Sequence, residues 1–118
     1  MQHERLRRRE FNEVFKKGRK GAVGDVAVYV LPNNLHVCRV GFAVSRKAGG
    51  AVRRNRVRRL IKEVCRLHTN WFRIGFDYVV LGRVSAGKAD YKSMESALEK
   101  AINRLKVSND EGTRFKGD

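Results

Sequence analysis

Acidic residues, histidines and cysteines are scarce in this 118-residue chain, at twelve, three and two, and each shortage removes a class of function. Cys38 and Cys65 are far apart in the sequence, which suits reduced core residues better than a disulfide framework. His3, His36 and His68 have neither metal-ligand spacing nor a CxxC to join, so no structural zinc is expected. The few carboxylates are scattered, and no cluster on the expected strands and helices could assist phosphodiester hydrolysis. There is no Ser/His/Asp or Cys/His arrangement either, so no catalytic residue and no metal site is assigned. No window approaches the ~18 apolar residues of a membrane span. The basic start Met1–Arg9 is not followed by the apolar stretch of a signal peptide, and a cytoplasmic protein is expected.

What the chain has in excess is positive charge. Twenty-seven Lys and Arg against twelve Asp and Glu give a formal net charge of +15. Charges of one sign on so small a surface repel one another, and a polyanion relieves that repulsion by releasing its counterions. Nucleic acid fits this need better than an anionic membrane, because no membrane-seeking segment is present. Hydrophobic residues make up 42% of the chain, enough for the modest core of one domain. That domain is expected over residues 1–107. Residues 108–118 have no periodicity and are expected to form a tail.

Hydrophobic spacing predicts the elements. Phe11, Val14 and Phe15 repeat at i, i+3 and i+4, giving a short helix with an aromatic face that ends at Gly18 as a C′ glycine. Val26–Leu31 reads as a strand stopped by Pro32-Asn-Asn34, and Val37–Ser45 as a second, paired with it in an antiparallel hairpin. Val40, Phe42 and Val44 share the face expected to be buried. Arg39, Gly41, Ala43 and Ser45 share an open face whose small residues leave room for a ligand. Val57, Leu60, Ile61 and Val64 define a helix from Ala51 to about His68. A buried strand follows at Asp77–Leu81, then a helix marked by Tyr91, Met94, Leu98, Ala101, Ile102 and Leu105, with Asp90 as N-cap.

The helix after Gly50 carries the functional argument. Its apolar residues cluster in roughly a quarter turn at ~100° per residue. Arg58, Arg59, Lys62 and Arg66 project on the opposite side with Asn55, while Arg54 and Arg56 flank the seam. A helix built only for solubility gains from alternating signs, whereas like charges three and four apart each cost a few tenths of a kcal/mol. Most of these cations are arginine, whose planar fork grips phosphate at two points as lysine cannot. The preceding Ala48-Gly49-Gly50 permits a tight turn beside Arg46 and Lys47. No Walker lysine and no GxxG spacing accompany it.

Lys47-Ala-Gly-Gly-Ala-Val-Arg-Arg-Asn-Arg-Val-Arg-Arg-Leu-Ile-Lys-Glu63 closely resembles the "RNR" signature region of the bacterial ribonuclease P protein family, with Arg54-Asn55-Arg56 at its core. Arg5-Leu6 and Phe11–Gly18 resemble the family's first helix, and Val40–Lys47 its strand leading into the signature. The resemblance spans about residues 5 to 105. It departs slightly at Glu10, where Asp is common, and at Gly50, where Asn occurs. It implies an α+β, single-domain αβββαβα sandwich with a left-handed βαβ crossover, a fold class shared with the second domain of a small-subunit ribosomal protein. Residue spacing alone delimits only three of the strands.

The resemblance also implies a role without catalytic groups of its own. As the protein subunit of an endoribonuclease holoenzyme, the chain would bind a catalytic RNA that uses Mg²⁺, and would bind the 5′ leader of precursor tRNA. No obligate protein partner is implied. Arg46, Lys47, Arg53, Arg54, Asn55, Arg56, Arg58, Arg59 and Lys62 are then expected to meet RNA phosphates. Phe11, Phe15 and Tyr29 are expected in a leader cleft between the first helix and the open sheet face. The aromatic trio can equally be plain core packing. The alternative function is that of a ribosomal or general RNA-chaperone protein, which would show no preference for precursor over mature tRNA.

Overall fold

Alternation along Val26–Pro32 sorts the protein into two unequal layers on either side of one sheet. The computed structural model describes residues 4–105, so the tail expected at 108–118 lies outside the described residues. Over them the chain runs β1 (Glu4–Arg5), α1 (Arg8–Lys17), β2 (Arg19–Val23), β3 (Val26–Pro32), β4 (Arg39–Val44), α2 (Ala51–Leu67), β5 (Phe76–Gly82) and α3 (Tyr91–Leu105). Single 3-10 segments occupy Arg46–Ala48, Thr69–Trp71 and Val84–Lys88. Apart from the two-residue β1, this is the αβββαβα order that the family resemblance implies.

The sheet order is β1-β4-β5-β3-β2. β4 is parallel to both β1 and β5, while β3 is antiparallel to β5 and to β2. The expected hairpin between 26–31 and 37–45 is therefore not formed. β5 lies between those strands, with Val80 facing Val28 on one side and Phe42 on the other. Charge and apolar content explain the insertion. Tyr78, Val79 and Val80 are all essentially inaccessible, and a strand apolar on both faces belongs at the covered centre of a sheet. The parallel β4–β5 pairing needs a long crossover, which α2 supplies. β3 instead makes its hairpin with β2, through a turn at Gly24 (φ +52) that brings Val23 opposite Val26. β2 escaped the spacing argument because Arg19-Lys-Gly-Ala-Val23 has no run of β-branched or aromatic residues.

Val26, Val28 and Val30 pack with Tyr78 and Val80 under α2 and α3 in the larger core. α2 contributes Val57, Ile61 and Val64, each with no accessible surface, and burying such a side chain stabilises by about 1.5–3 kcal/mol. The other face of the sheet holds a smaller core, in which Val14 of α1 and Leu6 pack on Val79, flanked by Phe11, Phe15, Tyr29 and Leu31. α1 can lie this close because residue 18 has no side chain. Gly18 has φ −73, so it is not the left-handed C′ residue expected. A Cβ there would sit 2.5 Å from the Val14 carbonyl oxygen and 2.9 Å from that of Val30. α3 begins as its sequence predicts, with the Ser93 amide donating to Asp90 Oδ1 at 2.8 Å and the Asp90 amide to Ser93 Oγ at 3.1 Å.

Candidate nucleic-acid interface

α2 is held by its seam and presents its charge outward. Val57, Ile61, Val64 and Cys65 are buried and Leu60 is half-buried. Arg46, Lys47, Arg53, Asn55, Arg56, Arg59 and Lys62 are exposed, and Arg54 and Arg58 are half-buried. The structure thus brings every basic residue expected at the phosphate surface onto one helix and the turn before it. None of them meets a carboxylate among the described residues. The cation of α2 that does is Arg66, paired with Glu63 one turn earlier.

The helix start adds to this field. Ser45 accepts from the Lys47 amide at 3.3 Å to shape the 3-10 turn. Gly49 then adopts φ +145, and a Cβ there would lie 2.5 Å from Arg53 Cδ. Gly50 caps α2 without a side chain, and the first turn holds no acidic residue. The first amides of a helix have no intrahelical acceptor and sit at the positive end of its dipole, so they suit an anion. An open depression of about 840 Å³ lies there, lined by Gly50–Arg53, Arg56 and Gly87.

Individual side chains divide the work. Arg56 donates to the carbonyls of Ala89 at 3.1 Å and Gly87 at 3.4 Å, so it ties α2 to the segment before α3 as well as adding charge. Arg58 donates to Asn55 Oδ1 at 3.0 Å, which pre-orients its guanidinium. Arg54 Nε is the one buried side-chain nitrogen or oxygen without a partner among the described residues. A guanidinium rotated toward an incoming phosphate would satisfy it. Arg59 makes no such bond among the described residues and faces solvent.

Phe11, Phe15 and Tyr29 also come together. The Phe11 and Phe15 centroids are 5.1 Å apart, and Phe15 meets Tyr29 edge-on at 4.7 Å. Lys20 Nζ lies 5.6 Å over the Tyr29 ring. All three residues are half-buried, so each packs while keeping part of its surface accessible. The room expected over Gly41 is already taken, since a Cβ there would meet Phe11 Cδ2 at 2.7 Å. The open space lies instead beside α1, at the edge of β4. β1 pairs only with Arg39 and Val40. Beyond it a cleft of about 820 Å³ has Leu6, Phe11 and Phe42 on its apolar side and Arg58, Lys62 and Arg66 on its cationic side. Lys62 Nζ stands 5.7 Å over the Phe42 ring. Phe42 packs against the larger core as its spacing predicts and also lines this cleft, but spacing gave no sign of the two-residue strand that leaves this edge open.

A polar network fixes α1 beside the cleft. Arg39 donates to buried Asp77 through Nε at 2.8 Å and Nη2 at 2.7 Å, and to Glu10 on α1 through Nη1 at 2.5 Å. Asn33 Nδ2 also donates to Asp77, at 2.8 Å. The backbone N–H of Arg7, with Arg39 adding its charge, holds the Glu10 carboxyl below the usual carboxylate range. Burial pushes the thiols of Cys38 and Cys65 up to about 12, and both are free. No three His, Cys, Asp or Glu side chains gather as a metal site among the described residues.

Residues 1–106 match the family model described as Ribonuclease P. The chain is 38% identical over 100 residues to the ribonuclease P protein component of Pelotomaculum thermopropionicum, covering 85% of this chain and 89% of that one. The Clostridioides difficile component is also 38% identical over 100 residues, covering 84% and 88%. Among solved structures, Staphylococcus aureus RNase P protein superposes with a TM-score of 0.78 at 29% identity, over 92% of this chain and 100% of that one. The Thermotoga maritima protein gives 0.77 at 30%, over 91% and 100%.

Proposed function

Since the chain belongs to the ribonuclease P protein family, and is therefore a protein component of a tRNA-processing endoribonuclease, we propose that it acts by binding two RNAs rather than by supplying catalytic groups. α2 lies against phosphates of the catalytic RNA, using Arg53, Arg54, Asn55, Arg56, Arg58, Arg59 and Lys62 with Arg46 and Lys47 at its start. The single observation that carries this is the row of α2 cations with no carboxylate opposite them among the described residues. A protein at +15 that leaves such a row unneutralised has its counterion outside itself.

The single-stranded 5′ leader of precursor tRNA occupies the neighbourhood of Phe11, Phe15 and Tyr29 and the cleft that opens at β4. Aromatic edges and faces accept any unpaired base, at roughly 1–3 kcal/mol per stacked base, and the cations across the cleft take the phosphates. This tolerance suits a subunit that meets many leader sequences. Mg²⁺ belongs to the RNA in this scheme, and the protein screens repulsion between two polyanions. The reaction takes place in the cytoplasm; among the described residues no helix is long and apolar enough to cross a membrane.

The test is cleavage of precursor tRNA by a bacterial ribonuclease P RNA at limiting Mg²⁺, with and without this protein. Faster cleavage with the protein, and tighter binding of precursor than of mature tRNA, are expected. Equal binding of the two tRNAs would indicate a general RNA chaperone. Cleavage by the protein alone would indicate a protein nuclease, and either result would remove the proposal.

A further inference from the structure

The cations of α2 are not held by that helix alone. Two of them, Arg53 and Arg56, meet the 3-10 segment Val84–Lys88 between β5 and α3, and both meet it at Gly87. Arg56 Nη1 donates to the Gly87 carbonyl at 3.4 Å and Nη2 to that of Ala89 at 3.1 Å. Arg53 meets it through its methylenes. A Cβ on Gly87 would lie 3.1 Å from Arg53 Cδ, and one on Gly49 would lie 2.5 Å from Cδ and 3.0 Å from Cβ and Cγ. The stem of Arg53 thus runs through a slot walled by two residues without side chains, one before α2 and one before α3.

Space, not backbone conformation, makes residue 87 a glycine. Gly49 has φ +145, whereas Gly87 has no positive φ, so alanine could adopt its conformation. Its Cβ, however, would sit 2.4 Å from the Ala48 carbonyl oxygen. Ala48 closes the 3-10 turn Arg46–Ala48 and is buried, and Ala86 has no accessible surface. Neither segment can back away without opening the packing behind it. Gly50 is the contrast, since nothing lies within 4 Å of a Cβ there.

The head of Arg53 is left free. It is exposed, makes no hydrogen bond or ion pair among the described residues, and borders the depression at the start of α2 with Arg56 and Gly87. Like charges three residues apart on a helix repel, so two unrestrained arginines would splay. A long side chain also loses rotamer freedom when it grips a phosphate, and a stem already fixed has less to lose.

We propose that Gly87 is a positioning residue of the RNA face. With Gly49 it fixes the stem of Arg53, and with its carbonyl it fixes Arg56, so that two guanidinium groups are preset for the phosphates of a folded RNA. The proposal rests on the reading of α2 as the face for the catalytic RNA and adds what tunes that face to the RNA's form. Phosphates of a folded RNA have fixed positions and reward a preset pair. A flexible single strand adapts to wherever the arginines stand, so presetting gains it little.

The test measures affinity of the full chain for a bacterial ribonuclease P RNA and for poly(U) across salt concentrations. Gly87→Ala should weaken binding of the ribonuclease P RNA about 3–10-fold, the ordering cost of one or two long side chains. Its slope of log affinity against log salt should stay within about half a unit, because no cation is lost. Binding of poly(U) should change by less than about twofold. Arg53→Gln/Arg56→Gln should lower the slope by about two units, and adding Gly87→Ala to it should change affinity by less than about twofold. An unchanged affinity in Gly87→Ala would overturn the proposal. So would a loss of equal size with and without the two arginines, or of equal size for poly(U), since a merely structural glycine gives that result. If Arg53→Gln/Arg56→Gln keeps wild-type affinity and slope, the α2 reading fails as well. Side-chain nitrogen relaxation of the free wild-type protein is a second test that needs no variant to fold. The Nε–H order parameters of Arg53 and Arg56 should lie well above that of Arg59, and an Arg53 as mobile as Arg59 would refute the slot.

Discussion

Gly41→Ala offers a sharp test of how α1 is seated, because its sign depends on one ring. In an uncrowded strand, replacing glycine by alanine stabilises by about 0.4–1 kcal/mol through the unfolded chain. At Gly41 the new methyl would lie 2.7 Å and 2.9 Å from two carbons of the Phe11 ring and 3.2 Å from Leu6 Cδ1. The ring cannot swing freely aside, since Phe15 stands at a centroid distance of 5.1 Å and Val14 is fully buried behind it. Overpacking of this kind costs about 1–3 kcal/mol. At about 4–8 °C per kcal/mol for a domain near 100 residues, Tm should fall by roughly 5–20 °C. Phe11→Leu removes the obstruction, so Gly41→Ala should be nearly neutral in that background, with a coupling of about 1–2 kcal/mol. Thermal and urea denaturation of the wild type, both single variants and the double complete the cycle. A Gly41→Ala protein as stable as the wild type, or a double variant with no rescue, would show that Phe11 does not occupy the sheet face at Gly41.

Other expectations follow from single contacts. Arg39→Ala leaves Asp77, 4% exposed, with Asn33 as its remaining side-chain donor, and should cost about 3–5 kcal/mol in urea denaturation; Arg39→Lys should cost less. Arg59→Ala should lower the salt slope of RNA binding by about one unit with Tm unchanged, whereas Arg56→Ala should lower both, because Arg56 also holds the carbonyls of Gly87 and Ala89. The Cys38 and Cys65 thiols stay protonated to about 12 in the fold but ionise near 9 when unfolded. Their contribution is therefore complete below pH 9 and is lost between pH 9 and 12 as pH rises, by up to about 1.4 kcal/mol per unit per thiol. Denaturation of Cys65→Ala across that range should give a flatter decline, and an unchanged slope would remove the thiol as its cause.

Much of the candidate site is legible in one dimension because it depends on local periodicity. The seam of Val57, Leu60, Ile61 and Val64 fixes which way α2 faces, and the arginines between those positions can then only point away. The expected bounds, Ala51 to about His68, differ from the observed Ala51–Leu67 by one residue. Asp90 is equally local, since a cap is decided within one turn. Phe11, Val14 and Phe15 mark a face that must dock, although spacing does not tell what it docks on.

Pairing and closure are decided at longer range. Nothing in Val26–Leu31 or Val37–Ser45 forbids their hairpin; it is excluded because Asp77–Leu81, far along the chain, is apolar on both faces and takes the place between them. β1 has two residues and β2 has no apolar run, so neither leaves a pattern, yet they form the two edges of the sheet. In the Arg39–Asp77–Glu10 network the bonded partners lie 38 and 29 positions apart, and Gly18 and Gly41 are glycine because of neighbours that only the fold supplies. By itself the sequence determined the charge, the helices and the orientation of the arginine ridge, since these rest on neighbours three or four residues away. Strand order, the closing of the sheet face by Phe11 and the cleft beside β4 belong to the tertiary structure, because they arise from competition among distant segments for the same buried space.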